Sequence, residues 1–87
     1  MKRKNFKIEF EKDGVTQTVI KHTWNAANKE VVSIIRQIAR NQGQMYELVH
    51  SESERSSNYY DGFIKGTRTW QGRSTGQKVF FKIERVD

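Results

Sequence analysis

The chain has no cysteine, so neither a disulfide framework nor a thiolate metal site can form, and the composition fits a reducing cytoplasm. It has no proline, so no element is interrupted on that account. No apolar run approaches the ~18 to 20 residues that span a bilayer, and Met1-Lys2-Arg3-Lys4 leads into no signal-peptide hydrophobic stretch. The expectation is a soluble cytoplasmic protein with no membrane partner, no metal and no cofactor. Hydrophobic residues are also scarce, at 34% with a mean hydropathy of −0.87. Yet Phe6, Phe10, Trp24, Tyr46, Tyr59, Tyr60, Phe63, Trp70, Phe80 and Phe81 are too many aromatics for a disordered tail. At 87 residues the chain makes one domain. Such a chain buries only ~60 to 65% of its unfolded surface, so the core must be small.

What is present in excess is positive charge. The formal net charge is +6, spread unevenly. Residues 1–43 hold nine basic and four acidic side chains, whereas residues 44–57 hold Arg55 against Glu47, Glu52 and Glu54. Residues 62–82 carry Lys65, Arg68, Arg73, Lys78 and Lys82 with no acid at all. A balance of this sign favours polyanions through steering and counterion release. Its ordinary alternative is a solvated basic surface that keeps a small domain soluble.

Hydrophobic patterning predicts an α+β fold of a single domain, ββαβββ, with one amphipathic helix packed on an antiparallel sheet. Phe6, Ile8 and Phe10 alternate with Lys7, Glu9 and Glu11, as a half-buried strand does. Asp13-Gly14 supplies the turn, and β-branched residues from Val15 to His22 form the return strand. Its inward face is ambiguous, since Val15 and Val19 compete with Ile20. A helix is predicted over 25–42, capped by Thr23 or Asn25 and closed by Gly43, with Ala27, Val31, Ile34, Ile35 and Ile38 on one face. Gln44 to Ser51 reads as a third strand, residues 51–58 as a polar loop, Tyr59 to Trp70 as a fourth strand and Lys78 to Val86 as a fifth. Gly62 and Gly66 mark a bulge or a close backbone approach in the fourth. The basic residues 1–4 read as a flexible arm.

The candidate binding residues follow from this layout. The hairpin TRTWQGRSTGQK offers Arg68, Arg73 and Lys78 to phosphates, its glycines make it mobile, and Trp70 can stack on an unpaired base. Its glycine spacing is wrong for a P-loop. Phe80 stands between Lys78 and Lys82, a pattern that suits base stacking on an open sheet. Lys29, Arg36 and Arg40 form a stripe on the helix face opposite the apolar one, and Lys2, Arg3 and Lys4 extend the footprint. Each has a structural alternative: Trp70 in the core, Phe80 in a homodimer contact, the stripe as a solvated face. His22 and His50 are the two side chains that titrate near neutrality unaided, but strand-end histidines are usually structural.

Two resemblances add to this reading. Phe6-Lys7-Ile8-Glu9-Phe10 is similar to the first strand of mRNA-cleaving toxins of the RelE type. The likeness stops at Asp13-Gly14, where those toxins enter a helical hairpin, and carries over no catalytic position. The hairpin, single helix and closing aromatic strand Val79-Phe80-Phe81-Lys82-Ile83-Glu84 resemble small basic phage-encoded counter-defence proteins, of the anti-CRISPR or RNA-binding toxin-inhibitor kind. That likeness implies a protein acting in a host cytoplasm and carries over no individual site residue.

The leading expectation is a non-enzymatic, sequence-tolerant nucleic-acid-binding protein, with RNA favoured over DNA and single strands over duplex. One alternative is a protein-binding inhibitor of a host nuclease or CRISPR-type complex. The other is a small ribonuclease using His22 and His50. A homodimer through an exposed strand edge is compatible with all three.

Overall fold

The alternation of Phe6, Ile8 and Phe10 with charged residues becomes strand β1 (Phe6–Lys12), and Gly14, at φ 78°, turns the chain into β2 (Val15–Lys21). Helix α1 (Trp24–Gln42) follows, then β3 (Tyr46–Arg55), β4 (Phe63–Gly72) and β5 (Lys78–Arg85). The structure, a computed structural model, describes residues 5–12, 14–55 and 63–86. The arm at Lys2, Arg3 and Lys4 and the glycine at 62 lie outside those residues.

The five strands form one antiparallel sheet in the order β2-β1-β5-β4-β3, with α1 across one face. This is the α+β, ββαβββ architecture expected from the sequence. Ile8 lies opposite Val19 on one side and Ile83 on the other, and Phe10 opposite Gln17 and Phe81. The apolar side chains among these meet Ala27, Val31, Ile35 and Ile38 of α1, and together they form the core. The register settles the inward face of β2: Val19 points to the helix, while Ile20, opposite Lys7, points away and is exposed.

Helix α1 begins where Thr23 accepts a hydrogen bond from the Ala26 amide at 3.0 Å. It ends at Gly43, whose amide donates to the Ala39 and Arg40 carbonyls and whose left-handed φ of 63° brings the Gln44 amide back to the Ala39 carbonyl at 3.1 Å. Trp24, the first helical residue, is buried. Its ring stacks on Phe63 at 4.5 Å and meets Phe6 edge-on at 6.1 Å. The same ring lies on Gly66, where an added Cβ would sit 2.5 Å from the indole Cη2 and 3.0 Å from the Glu52 carbonyl. Gly66 is therefore a close approach. The β3–β4 register shifts fall elsewhere, at Leu48/His50 and Glu54/Arg55.

The expected start of the fourth strand at Tyr59 lies outside the described residues; the other boundaries fall within two residues of expectation, except one. Ser51 to Arg55, predicted as loop, continues β3 and pairs with β4: Glu52 opposite Thr67, Ser53 opposite Gly66 and Glu54 opposite Lys65. The ladder to β4 supplies the hydrogen bonds that hold this polar run extended, so no apolar face is needed to specify it.

Candidate nucleic-acid interface

Sheet pleating divides the expected site residues between two opposite sides of the molecule. Lys78, Phe80 and Lys82 alternate with buried Val79, Phe81 and Ile83, and so stand on the sheet face away from α1. Lys29, Arg36 and Arg40 lie on the outer face of α1, also exposed. The residues Lys78, Phe80 and Lys82 and the helical stripe do not form one surface.

The open sheet face is not a cationic platform. Across it run Lys7, Lys65, Lys78 and Lys82 together with Glu9, Glu11, Glu47, Glu52, Glu54 and Glu84, placed there by the register. Most of these charges are matched. Lys7 contacts Glu9 at 2.8 Å, Lys65 contacts Glu54 at 3.4 Å, and Lys82 contacts Glu84 at 3.7 Å. The hydrogen bond and charge of Glu9 raise the Lys7 pKa, and the same contact lowers that of Glu9. Phe80 is 63% exposed, but the shallow depression around it is bordered by Glu9 and Glu11 as well as Lys82.

Two hairpin residues face the helix side instead. Trp70 lies between Leu48 and Val79 in register, packs half-buried against the core, and has its indole Nε1 buried without a hydrogen-bond partner among the described residues. Arg68 lies opposite Phe81 and reaches under the start of α1. Its guanidinium donates to the Thr67 carbonyl at 3.0 Å and to the Glu52 carbonyl and Asn28 Oδ1 at 3.4 Å each. It also sits 5.6 Å from the Trp24 ring centre, and burial lowers its pKa. Both terminal nitrogens of Arg68 thus bond to groups of the fold.

The turn after β4 is pinned, contrary to the mobility expected from its glycines. The Arg73 amide donates to the Met45 carbonyl at 2.9 Å, and the Gly76 amide to the Gly72 carbonyl at 2.9 Å. Gln44 donates to Gln42 at 2.8 Å and to the Thr75 hydroxyl at 3.1 Å. Gln42 also contacts Gln77, and Gln71 the Gly76 carbonyl. The Arg73 side chain turns to Glu47, with Nε 3.5 Å from Oε2. This glutamine network was not visible in the sequence, because it joins the end of α1 and the residues just after it to the β4–β5 turn, more than thirty residues further on.

The helical stripe is different. Asn28, Lys29, Val32, Ser33, Arg36, Gln37 and Arg40 line one shallow surface groove without an acid. Glu30, the one acidic residue of α1, turns toward β2 and contacts Lys21 at 3.4 Å. Lys29, Arg36 and Arg40 have no ion-pair partner among the described residues. Lys29 and Arg40 are eleven residues apart, about 16 Å along the axis, with Arg36 between them.

The two histidines are held apart. His22 follows β2, its Nδ1 3.1 Å from Asn5 Oδ1, while His50 lies on β3 beside Glu52 at 3.6 Å. β2 and β3 are opposite edges of the sheet with three strands between them, a separation of roughly 19 Å at ~4.8 Å per strand. They form no acid–base pair within one chain. Comparison of the chain with protein-family models, with curated proteins and with solved structures finds no match. Fold and surface together define a small α+β domain with one cationic, acid-free helix face.

Proposed function

We propose that this protein is a non-enzymatic nucleic-acid-binding domain that engages phosphates through the outer face of α1. The observation that carries this is the stripe of Lys29, Arg36 and Arg40, which no carboxylate among the described residues neutralises, whereas three of the four open-face lysines stand beside glutamates. Cations left unpaired on one face attract a polyanion and release its counterions. Contacts of this kind position a backbone and read no bases. The two aromatic residues suited to stacking do not share the surface: Trp70 packs on the core and Phe80 stands on the opposite side. Binding is therefore phosphate-led and tolerant of sequence. RNA or single-stranded DNA is the favoured ligand, because α1 is the single helix among the described residues and no second helix braces it in a major groove.

The test is fluorescence anisotropy of a labelled single-stranded RNA titrated with the protein at low salt, alongside a duplex DNA of equal length. Saturable binding that is tighter for the single strand supports the proposal, and no binding to either contradicts it. Retention of a cellular protein that survives nuclease treatment would point to the inhibitor reading instead.

A further inference from the structure

The two edges of the sheet are protected unequally. β3 carries Glu47, Glu52 and Glu54 and a register shift at Leu48/His50, features that discourage pairing with another chain. β2 has none of these. From Val15 to Ile20 it has no charge, glycine or proline, and its pairing with β1 is unbroken from Lys21 to Val15. Val15 is 59% exposed and Ile20 47%.

The direction of the unpaired backbone groups can be derived. The Asn5 carbonyl accepts from the Val86 amide at 2.7 Å, so the odd-numbered residues of β1 turn their backbone groups toward β5. Phe6, Ile8, Phe10 and Lys12 then turn theirs toward β2 and bond with Lys21, Val19, Gln17 and Val15. By alternation, Thr16, Thr18 and Ile20 direct their N–H and C=O groups outward, away from the sheet.

We propose that β2 pairs antiparallel with β2 of a second copy of this chain, across a two-fold axis at Thr18. That register sets Thr18 opposite Thr18, and Thr16 opposite Ile20 on either side, so every outward amide and carbonyl of the three residues finds a partner. On the helix side Gln17 lies opposite Val19, and Val15 opposite Lys21. No like charges face each other, and a threonine pair at the centre is favourable. A shift of one residue would present backbone groups already bonded to β1. Half-buried Val19 and Ile34, in the groove between β2 and α1, lie beside the junction and gain cover there. The interface is strand-sized, below the ~1,200 Å² of standard ones, so the dimer dissociates on dilution. Because the axis runs perpendicular to the sheet, both helices fall on the same side of a ten-stranded sheet. Both stripes of Lys29, Arg36 and Arg40 then face one polyanion.

Sedimentation equilibrium over a concentration series, without nucleic acid, tests this independently of the proposed function. The mass is expected to rise from 10.3 kDa toward twice that value. Thr18→Lys sets like charges together at the axis, and Thr18→Pro removes an outward amide that β1 does not use. Each is expected to give a monomer at all concentrations. Circular dichroism for Thr18→Lys, a surface change, is expected to match the parent. In this cysteine-free chain, Thr18→Cys is expected to give a disulfide-linked dimer on oxidation, and Leu48→Cys on the β3 edge a monomer. A parent that stays monomeric throughout, or self-association unaltered by Thr18→Lys, overturns the proposal.

Discussion

The guanidinium of Arg68 lies 5.6 Å from the centre of the Trp24 ring and ties the first turn of α1 to the sheet. The contact joins an amphipathic helix to the strand on which the longest acid-free basic segment begins. On the proposed reading Arg68 is therefore not among the cations that meet a ligand. A ring–cation contact with hydrogen bonds to Asn28 and two carbonyls is worth ~1 to 3 kcal/mol. Arg68→Ala is expected to lower the urea midpoint accordingly while leaving the salt dependence of RNA binding unchanged. A variant of full stability with a weaker salt dependence would place Arg68 at the ligand instead.

Gly66 is where the Trp24 ring and the Glu52 carbonyl leave no room for a side chain. Gly66→Ala forces the indole or the β3–β4 ladder to shift, at a cost of ~1 to 3 kcal/mol by the usual penalty for overpacking. Chemical denaturation followed by tryptophan fluorescence measures it. The neighbouring exposed position Thr67 is the control, and Thr67→Ala is expected to change stability by no more than ~0.5 kcal/mol.

The Lys7–Glu9 contact sets a pH signature. Glu9 has a folded pKa below its unfolded value of ~4.3, so its contribution is complete above that pH and lost as pH falls through the folded value. Lys7 has a folded pKa above ~10.4, so its contribution is complete below that pH and lost as pH rises further. Between these limits the contribution is flat. The stability difference between the parent and Glu9→Gln is therefore expected to be constant near neutrality and to shrink in acid. Denaturation midpoints from about pH 3 to 8 report it, and a difference that grows in acid would reverse the assignment.

The sequence showed the fold in most of its parts, because each of those parts has a local cause. Alternation in β1 and β5, the Gly14 turn, the Thr23 cap and the Gly43 stop are all determined within a few residues. The run from Ser51 to Arg55 was unreadable because its ladder partner, not its own pattern, holds it extended. The inward face of β2 was ambiguous for the same reason. The site was less legible. Lys78, Phe80 and Lys82 look like a stacking platform along one strand, but Glu9 on the neighbouring strand faces Lys82 and is distant in sequence. Trp70 and Arg68 belong to a basic segment in the sequence and to the helix-facing side in the fold. Only the helical stripe keeps its character in both, since residues at spacings of three and four share a helix face whatever packs behind it.

The most direct measurement is the slope of log K against log salt for single-stranded RNA, between about 50 and 200 mM, for the parent and for the triple variant Lys29→Ala, Arg36→Ala, Arg40→Ala. Three phosphate contacts on a single strand correspond to a slope of about −2, at ~0.7 per contact. The parent is expected to show a slope of at least that steepness. The triple variant is expected to lose about two units of it, and Lys78→Ala with Lys82→Ala to leave it unchanged. A slope that survives the triple substitution, or that disappears with the sheet-face pair, would contradict the helix-face interface.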